Sequence, residues 1–147
     1  MTQQSLGVAR DEAGRAPTRS LVLTVPATPE AVGVLRRAAI GVTRENGADA
    51  DLASDIALAV SEAVTNAVKY AYDSTSEVQG EVELSARPVD RFLEVSVSDR
   101  GTGFGAGSSD GLGMGLALIA HMSAEMTVVQ EGQGTQVRMR FLLAASP

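Results

Sequence analysis

Three polar side chains at short intervals near the middle of the chain could together carry out phosphate chemistry. Glu62 and Asn66 are four residues apart, so on a helix they lie on one face, one turn from each other. A carboxylate can accept a proton from a hydroxyl group, and a carboxamide oxygen is a hard ligand suited to Mg²⁺. Lys69 follows within a turn and brings the only positive charge to an acidic stretch between Glu45 and Glu83. The same three residues would also suit a solvated helix flank, and the pattern alone does not separate these interpretations.

A glycine-rich stretch over residues 99–115 provides a second candidate. Its glycines stand at positions 101, 103, 105, 107, 111, 113 and 115, a density that predicts a loop. Asp99 directly follows an expected strand, so its carboxylate can accept a hydrogen bond from an exocyclic amine such as that of adenine, and the first glycines admit a flat ring. The last glycines lead into a short helix whose unpaired N–H groups suit an anion. A glycine-rich hairpin loop without a ligand is the alternative.

Two familiar nucleotide-binding motifs are excluded by the surrounding sequence. Residues 101–106 fit the G-x-G-x-x-G/A pattern, but they are not followed by the long helix that a dinucleotide-binding turn requires. The P-loop pattern is absent, because Lys69 is the only lysine of the chain. A single histidine and the absence of cysteine also make a zinc site improbable.

Length and charge narrow the function classes further. With 147 residues the chain has the size of about one domain. A net charge of -6 disfavours sequence-independent binding to nucleic acid. No apolar run reaches the roughly 20 residues that span a bilayer, and the charged N-terminus does not resemble a signal peptide. We therefore expect a cytoplasmic protein that binds neither a membrane nor nucleic acid directly.

A long helix over residues 49–72 is expected to position Glu62 and Asn66. Apolar residues recur there at three- and four-residue steps and form one stripe. They are Leu52, Ile56, Val60, Ala63, Ala67 and Ala71. Glu62 and Asn66 lie at the margin of this stripe, where a cleft can form.

The helix before it is bounded by sequence signals at both ends. Thr28 resembles a cap and Pro29 a first helical residue. Asn46 and Gly47 form a stop signal. We therefore expect a helix between these two pairs of residues.

The remaining elements predict an α+β fold. Residues 1–18 lack apolar periodicity and are expected to form a flexible tail, so that a single domain extends over residues 19–143. A β-rich run stopped by Pro26 predicts a strand at 20–25, and period-two alternation predicts strands at 80–86 and 92–98. A short helix is expected at 116–122, and a second hairpin is expected from residues 126–129 and 136–141. Helices on one face of a mixed, mostly antiparallel sheet would form a two-layer sandwich.

Four segments of the chain resemble, in order, the sequence boxes of the GHKL (Bergerat-fold) ATPases. They are residues 61–67, 99–104, 111–116 and 134–135. The pattern is most similar to that of the bacterial anti-sigma factor serine/threonine kinases and covers about residues 20–143. The resemblance implies a histidine-kinase-like ATPase domain that uses ATP and Mg²⁺.

The resemblance also implies roles for the helical residues. Glu62 would be the general base that activates an incoming serine hydroxyl, and Asn66 would hold Mg²⁺ between the ATP phosphates. Lys69 and Tyr70 belong to a run similar to the corresponding stretch of histidine kinases, where the lysine touches phosphates. Tyr70 stands where many anti-sigma kinases have a histidine.

The glycine boxes and the last box would bind the rest of the nucleotide. By the resemblance, Asp99 would accept a hydrogen bond from the adenine amine, and Thr135 would bind adenine together with Asp99 through water. Gly101 and Gly103 would admit the ring. The glycines assigned to a lid hinge and a phosphate cradle are Gly111, Gly113 and Gly115.

The function implied by the resemblance is that of an ATP-binding anti-sigma factor. Such a protein binds a sigma factor and phosphorylates a serine or threonine of an anti-sigma factor antagonist. The resemblance is also compatible with a homodimer. Residues 104–110 contain no Arg or Lys, although related kinases often place a basic residue there. A non-catalytic nucleotide-binding partner-switching module is therefore the alternative. A detached histidine-kinase catalytic domain is less favoured, since no helical hairpin with a phosphoacceptor histidine is recognisable.

Overall fold

The protein folds into a sheet covered by helices on one side. The structure, a computed structural model, describes residues 3–9, 18–71, 80–100, 113–131 and 134–143. The strands within these residues are β1 (Gln3–Ala9), β2 (Thr18–Pro26), β3 (Glu81–Val89), β4 (Phe92–Asp99), β5 (Glu125–Glu131) and β6 (Gly134–Leu142). The helices are α1 (Glu30–Glu45), α2 (Ala50–Asn66) and α3 (Gly113–Met122), and a π-helical turn over Ala67–Ala71 follows α2.

The strands form one sheet in the order β1-β2-β3-β4-β6-β5. Each of the described strand pairs is antiparallel. Strand β6 lies between β4 and β5, so the chain returns to the neighbour of β4 only after α3 and β5. This arrangement confirms the predicted α+β fold with a mostly antiparallel sheet.

One face of the sheet carries the hydrophobic core. Alternate residues of β4 and β6 are buried under the helices, because side chains of a strand point to opposite faces in turn. The buried apolar residues of these two strands are Leu93, Val95, Val97, Val137, Met139 and Phe141. Helix α1 packs on β2 and β3, and α2 packs on β4. Burial of each large apolar side chain stabilises the fold by roughly 1.5 to 3 kcal/mol.

Both ends of α1 lie close to the predicted signals, but the first works differently. Thr28 makes no side-chain capping bond; instead its backbone carbonyl accepts a hydrogen bond of 2.9 Å from the Ala31 N–H. Pro29 is the N-cap residue rather than the first helical residue. At the other end the stop signal is confirmed, since Asn46 Nδ2 donates to the Val42 carbonyl at 2.8 Å and Gly47 has a φ of 85°.

The predicted helix over residues 49–72 is confirmed in part. Asp49 caps it, because its side chain accepts a hydrogen bond of 2.9 Å from the Leu52 N–H. Ile56, Val60, Ala63 and Ala67 of the apolar stripe are buried, and Ile56 and Val60 are fully inaccessible to solvent. The α-helix ends at Asn66, however, and the chain continues as the π-helical turn. None of the helices in the described part of the chain has the length and apolar character needed to cross a membrane.

Residues 3–9, within the predicted flexible tail over residues 1–18, form strand β1 in the structure. This strand pairs with β2 from Gln3 opposite Thr24 to Ala9 opposite Thr18. An exposed strand edge offers unpaired backbone N–H and C=O groups, and pairing with them needs no apolar periodicity in the added strand. The rest of the predicted tail, residues 1–2 and 10–17, lies outside the described residues, and Thr18 already belongs to β2.

Candidate functional site

Two polar side chains, those of Asp99 and Thr135, lie side by side on the helix-covered face of the sheet. Each stands at the end of a strand whose other residues on this face are apolar. Asp99 is the last residue of β4 and is directly opposite Thr135 on β6. Both residues are buried, with relative exposures of 5% and 2%. They continue the buried rows of Val97 and Val137, so they share the helix-covered face of the sheet. The structure therefore brings together two predicted adenine-binding residues that are 36 positions apart in the chain.

The Thr135 hydroxyl is buried without a hydrogen-bond partner among the described residues. Leaving such a group unsatisfied costs about 1 to 3 kcal/mol, and native proteins rarely tolerate it without reason. A polar ligand between the two strand ends would satisfy it. The buried Asp99 carboxylate next to it supplies hydrogen-bond acceptors for the same ligand.

Asn66 is the second buried polar residue that lacks a partner. It ends α2, is 4% exposed, and its Nδ2 has no hydrogen-bond partner in the described part of the chain. The π-helical turn that follows lies against β4. An amide buried with an unsatisfied group fits a residue that binds a ligand with its carboxamide.

Glu62 lies one turn before Asn66 on α2, as the spacing predicted. Its side chain is partly buried, and no described residue forms a hydrogen bond or ion pair with its carboxylate. A carboxylate in this situation is available to accept a proton from a substrate at the helix margin. Lys69 is exposed in the π-helical turn, and of Tyr70 only the backbone is described.

The described glycines of the loop region belong to α3. Gly113 and Gly115 were predicted in a loop that ends at residue 115, but the helix already starts at Gly113. This part of the loop prediction was wrong, because the apolar character of residues 116–122 extends a helix that tolerates glycine in its first turn. The N–H groups of a first turn have no intrahelical partners, so an anion can still bind them. Gly101, Gly103, Gly111 and residues 104–110 lie outside the described residues.

Helix α3 is connected to the core and to α2. Ile119 is fully buried in the core, and α3 packs against α2. The helix that follows the glycine-rich stretch is thus held against the helix that carries Glu62 and Asn66. The predicted phosphate-binding elements are therefore neighbours in the fold.

A magnesium ion would need the nucleotide to complete its coordination. No cluster of at least three His, Cys, Asp or Glu side chains that could hold a metal occurs in the described residues. Asn66 offers one hard oxygen ligand, and Mg²⁺ commonly combines one or two protein ligands with substrate phosphates and water. The residues present therefore fit a metal bound together with phosphates, and not a metal cage made by the protein alone.

Gly134 is a residue to which the sequence analysis assigned no role. A Cβ atom at this position would lie 2.5 Å from the Asp99 carbonyl oxygen. The contact arises from the register of β4 and β6, and a single sequence contains no signal for that register. The fourth sequence box marked the position without indicating a reason.

Comparison with known proteins assigns this fold to a class. Residues 25–141 match the histidine kinase-like ATPase domain, and the chain belongs to this family. The family confirms the resemblance on which the sequence analysis relied and implies that the domain uses a nucleotide.

Several relatives carry a more specific name. The chain is 42% identical over 82 residues to the serine-protein kinase RsbW of Bacillus subtilis (strain 168), a match that covers 56% of this chain and 50% of that protein. It is 38% identical over 82 residues to the serine-protein kinase RsbW of Oceanobacillus iheyensis, covering 56% and 51%. The matched part thus spans about half the length of these curated relatives.

A solved structure is also similar over most of the chain. It contains the RsbU and RsbW domains of Rv1364c from Mycobacterium tuberculosis. The TM-score is 0.71 at 28% sequence identity, and the match covers 90% of this chain and 34% of the other. The similarity supports the sheet order and helix placement described above.

Proposed function

We propose that this protein is an ATP-dependent serine/threonine protein kinase and anti-sigma factor. It would bind a sigma factor and phosphorylate a serine or threonine of an anti-sigma factor antagonist in the cytoplasm. The observation that carries the proposal is the Glu62–Asn66 pair on α2, a carboxylate without a described partner one turn from a buried, unsatisfied amide. The matches to proteins named serine-protein kinase RsbW support the same activity.

The strand ends would bind the base of ATP. The Asp99 carboxylate would accept a hydrogen bond from the 6-amino group, and the Thr135 hydroxyl would contribute to base binding through water. Gly101 and Gly103 would leave room for the ring. Burial of both polar residues strengthens these hydrogen bonds, because little water competes with the ligand.

The helices would bind the phosphates. Asn66 would hold Mg²⁺ with the phosphate oxygens, and Lys69 with Tyr70 would lie beside them. Gly111, Gly113 and Gly115 would form the cradle at the start of α3. The metal, when bound, would neutralise the negative charge that the transferring phosphoryl group carries. Lys69 would add the positive charge that residues 104–110 do not supply.

Glu62 would act on the protein substrate. Its carboxylate would take the proton of the serine hydroxyl as that oxygen bonds to the γ-phosphorus of ATP. The bond between the γ-phosphorus and the bridging oxygen would break, and ADP would leave with the electron pair of that bond. The products would be ADP and a phosphoserine on the antagonist.

The test is phosphotransfer by a Glu62→Gln variant. With ATP and the purified antagonist from the same cell, we expect phosphoserine formation to fall by about 10² to 10⁴-fold, since a general base contributes that much. ATP binding measured by calorimetry should stay within about twofold of the unchanged protein. Asp55→Asn is a matched control, because Asp55 is an exposed carboxylate two turns earlier on the same helix. Unchanged transfer in Glu62→Gln would contradict the assignment of the base.

A non-catalytic partner-switching module is the second candidate. It is favoured by the absence of Arg and Lys from residues 104–110. Such a module would bind ATP and a sigma factor but form no phosphoserine on any antagonist. Calorimetry together with the phosphotransfer assay distinguishes the two, and sedimentation of the same samples would test the proposed homodimer.

A further inference from the structure

Gly134, the first residue of β6, lies unusually close to the end of β4. A Cβ atom at position 134 would be 2.5 Å from the Asp99 carbonyl oxygen and 3.4 Å from the Arg100 Cα. Real Cβ atoms essentially never approach another heavy atom to less than 3.0 Å. The atoms met belong to the backbone, so they cannot rotate away as a flexible side chain can. Any side chain at this position would therefore push the start of β6 away from the end of β4.

A side chain at position 134 would not enter the nucleotide site. Residues alternate along β6, so that Thr135 and Val137 are buried under the helices and Gln136 and Arg138 lie on the opposite face. Position 134 shares that opposite face with Gln136. A methyl group added there could change base binding only by displacing Asp99 or Thr135.

We propose that Gly134 is a positioning residue for selection of the purine base. Its missing side chain allows β6 to approach Asp99, and this approach holds the Asp99 carboxylate and the Thr135 hydroxyl where both meet one 6-aminopurine. The inference rests on the proposed function, because it concerns the base end of the ATP site. It adds the physical reason why residue 134 is glycine.

The experiment compares two nucleotides that differ only in the group that Asp99 would recognise. ATP carries the 6-amino group, and purine riboside triphosphate lacks it. Dissociation constants for both, measured by calorimetry with Mg²⁺, give a ratio that reports on the amine contact alone. A loss of stability or of phosphate binding would weaken both nucleotides equally and leave the ratio unchanged.

The variant is Gly134→Ala, made together with Gly41→Ala. Gly41 lies in α1, is exposed, and a Cβ there would have no heavy atom within 4 Å. Alanine at such a helix position increases helix stability and helps the variant chain to fold. Gly41→Ala alone is the matched control, since it adds the same methyl group far from β4.

We expect the unchanged protein and Gly41→Ala to bind ATP at least about tenfold more tightly than the analogue. In the Gly41→Ala/Gly134→Ala protein the ratio should fall to about threefold or less, through weaker ATP binding. A ratio that stays at the control value would overturn the inference while leaving the proposed function intact. So would a double variant that fails to fold, because Gly134 would then serve the fold as a whole. Equal binding of the two nucleotides by the unchanged protein would instead contradict the proposed base site.

Discussion

The two faces of the sheet use polar residues in opposite ways. On the face without helices, Arg87, Glu94, Arg140 and Glu125 stand opposite one another on four neighbouring strands. Successive members form ion pairs at 3.4, 3.8 and 3.5 Å. On the helix-covered face, Thr135 and Asn66 are buried with polar atoms that no described residue satisfies.

This difference separates polar groups whose charge is compensated within the protein from buried polar groups that no described residue satisfies. The four charged side chains on the face without helices neutralise each other, and the Arg140 guanidinium also stacks on the Phe92 ring at 4.5 Å from its centroid. Arg140 Nε is also buried without a hydrogen-bond partner among the described residues, but it lies 3.8 Å from the Glu94 carboxylate, so its charge is compensated within the protein. A buried polar group without a partner reduces stability unless a ligand satisfies it, so Thr135 and Asn66 indicate a candidate site more clearly than the charged residues do.

The largest effect on stability is expected at Phe141, which lies near the end of β6 on the helix-covered face of the sheet. Phe141 is buried in the core, and Phe141→Ala should lower the free energy of unfolding by about 3 to 5 kcal/mol, because it removes packed area and leaves a cavity. Leu142→Ala is the control, since Leu142 is 55% exposed on the other face and its loss should change stability by less than about 0.5 kcal/mol. Denaturant unfolding measures both. Equal costs would show that the two faces do not differ as described.

A smaller effect of opposite sign on the free energy of unfolding is expected at Thr135, near the start of β6 on the same face. Thr135→Val replaces an unsatisfied buried hydroxyl by a methyl group, so it should raise the free energy of unfolding without nucleotide by about 1 kcal/mol. The same change should weaken ATP binding by about two- to tenfold. Val137→Thr is the mirror control two residues along the strand, where an added hydroxyl should destabilise by about 1 to 3 kcal/mol. A Thr135→Val protein that is less stable than the unchanged one would mean that the hydroxyl is satisfied in the native state.

The smallest effect on stability is expected among the ion-paired residues on the face without helices. Glu94→Gln removes the carboxylate shared by Arg87 and Arg140 and should cost about 1 kcal/mol or less, since partly exposed ion pairs contribute little. The cost should shrink at high salt, and ATP affinity should not change. Glu45→Gln, which breaks the isolated exposed pair with Arg19, is the comparison and should cost less still. A marked loss of ATP binding in Glu94→Gln would contradict the separation of the two faces.

Local patterns in the sequence were sufficient for most elements of the fold. Apolar spacing around Ile56 and Val60 predicted α2, and period-two alternation predicted the strands whose inner residues form the core. The helix cap at Asp49 and the helix stop at Gly47 depend on residues only a few positions apart, so both can be recognised from the sequence. The resemblance to a known family then supplied the roles of the site residues, which composition and spacing alone left open.

Non-local features were not accessible in the same way. Strand β1 pairs with β2 through its backbone, so the side chains of residues 3–9 contain no pattern that predicts this pairing. The π-helical turn after Asn66 interrupts a stripe that would continue smoothly as an α-helix. The register that places Asp99 opposite Thr135, and Gly134 against the Asp99 carbonyl, depends on which strands become neighbours.

Because β4 and β6 are adjacent, the chain ends β4 at Asp99, forms α3 and the edge strand β5, and comes back beside Asp99 at Thr135. The backbone ladder between these two strands fixes their separation. Helix α3 and strand β5, which lie between them in the chain, are held by Ile119 in the core and by the pairing of β5 with β6. Changes in length or sequence are therefore best tolerated in residues 101–112, between β4 and α3 in the chain, while Asp99 and Thr135 stay opposite each other. Exchange of residues 101–112 between homologues would be a practical way to change the sequence beside these strand ends without rebuilding the scaffold.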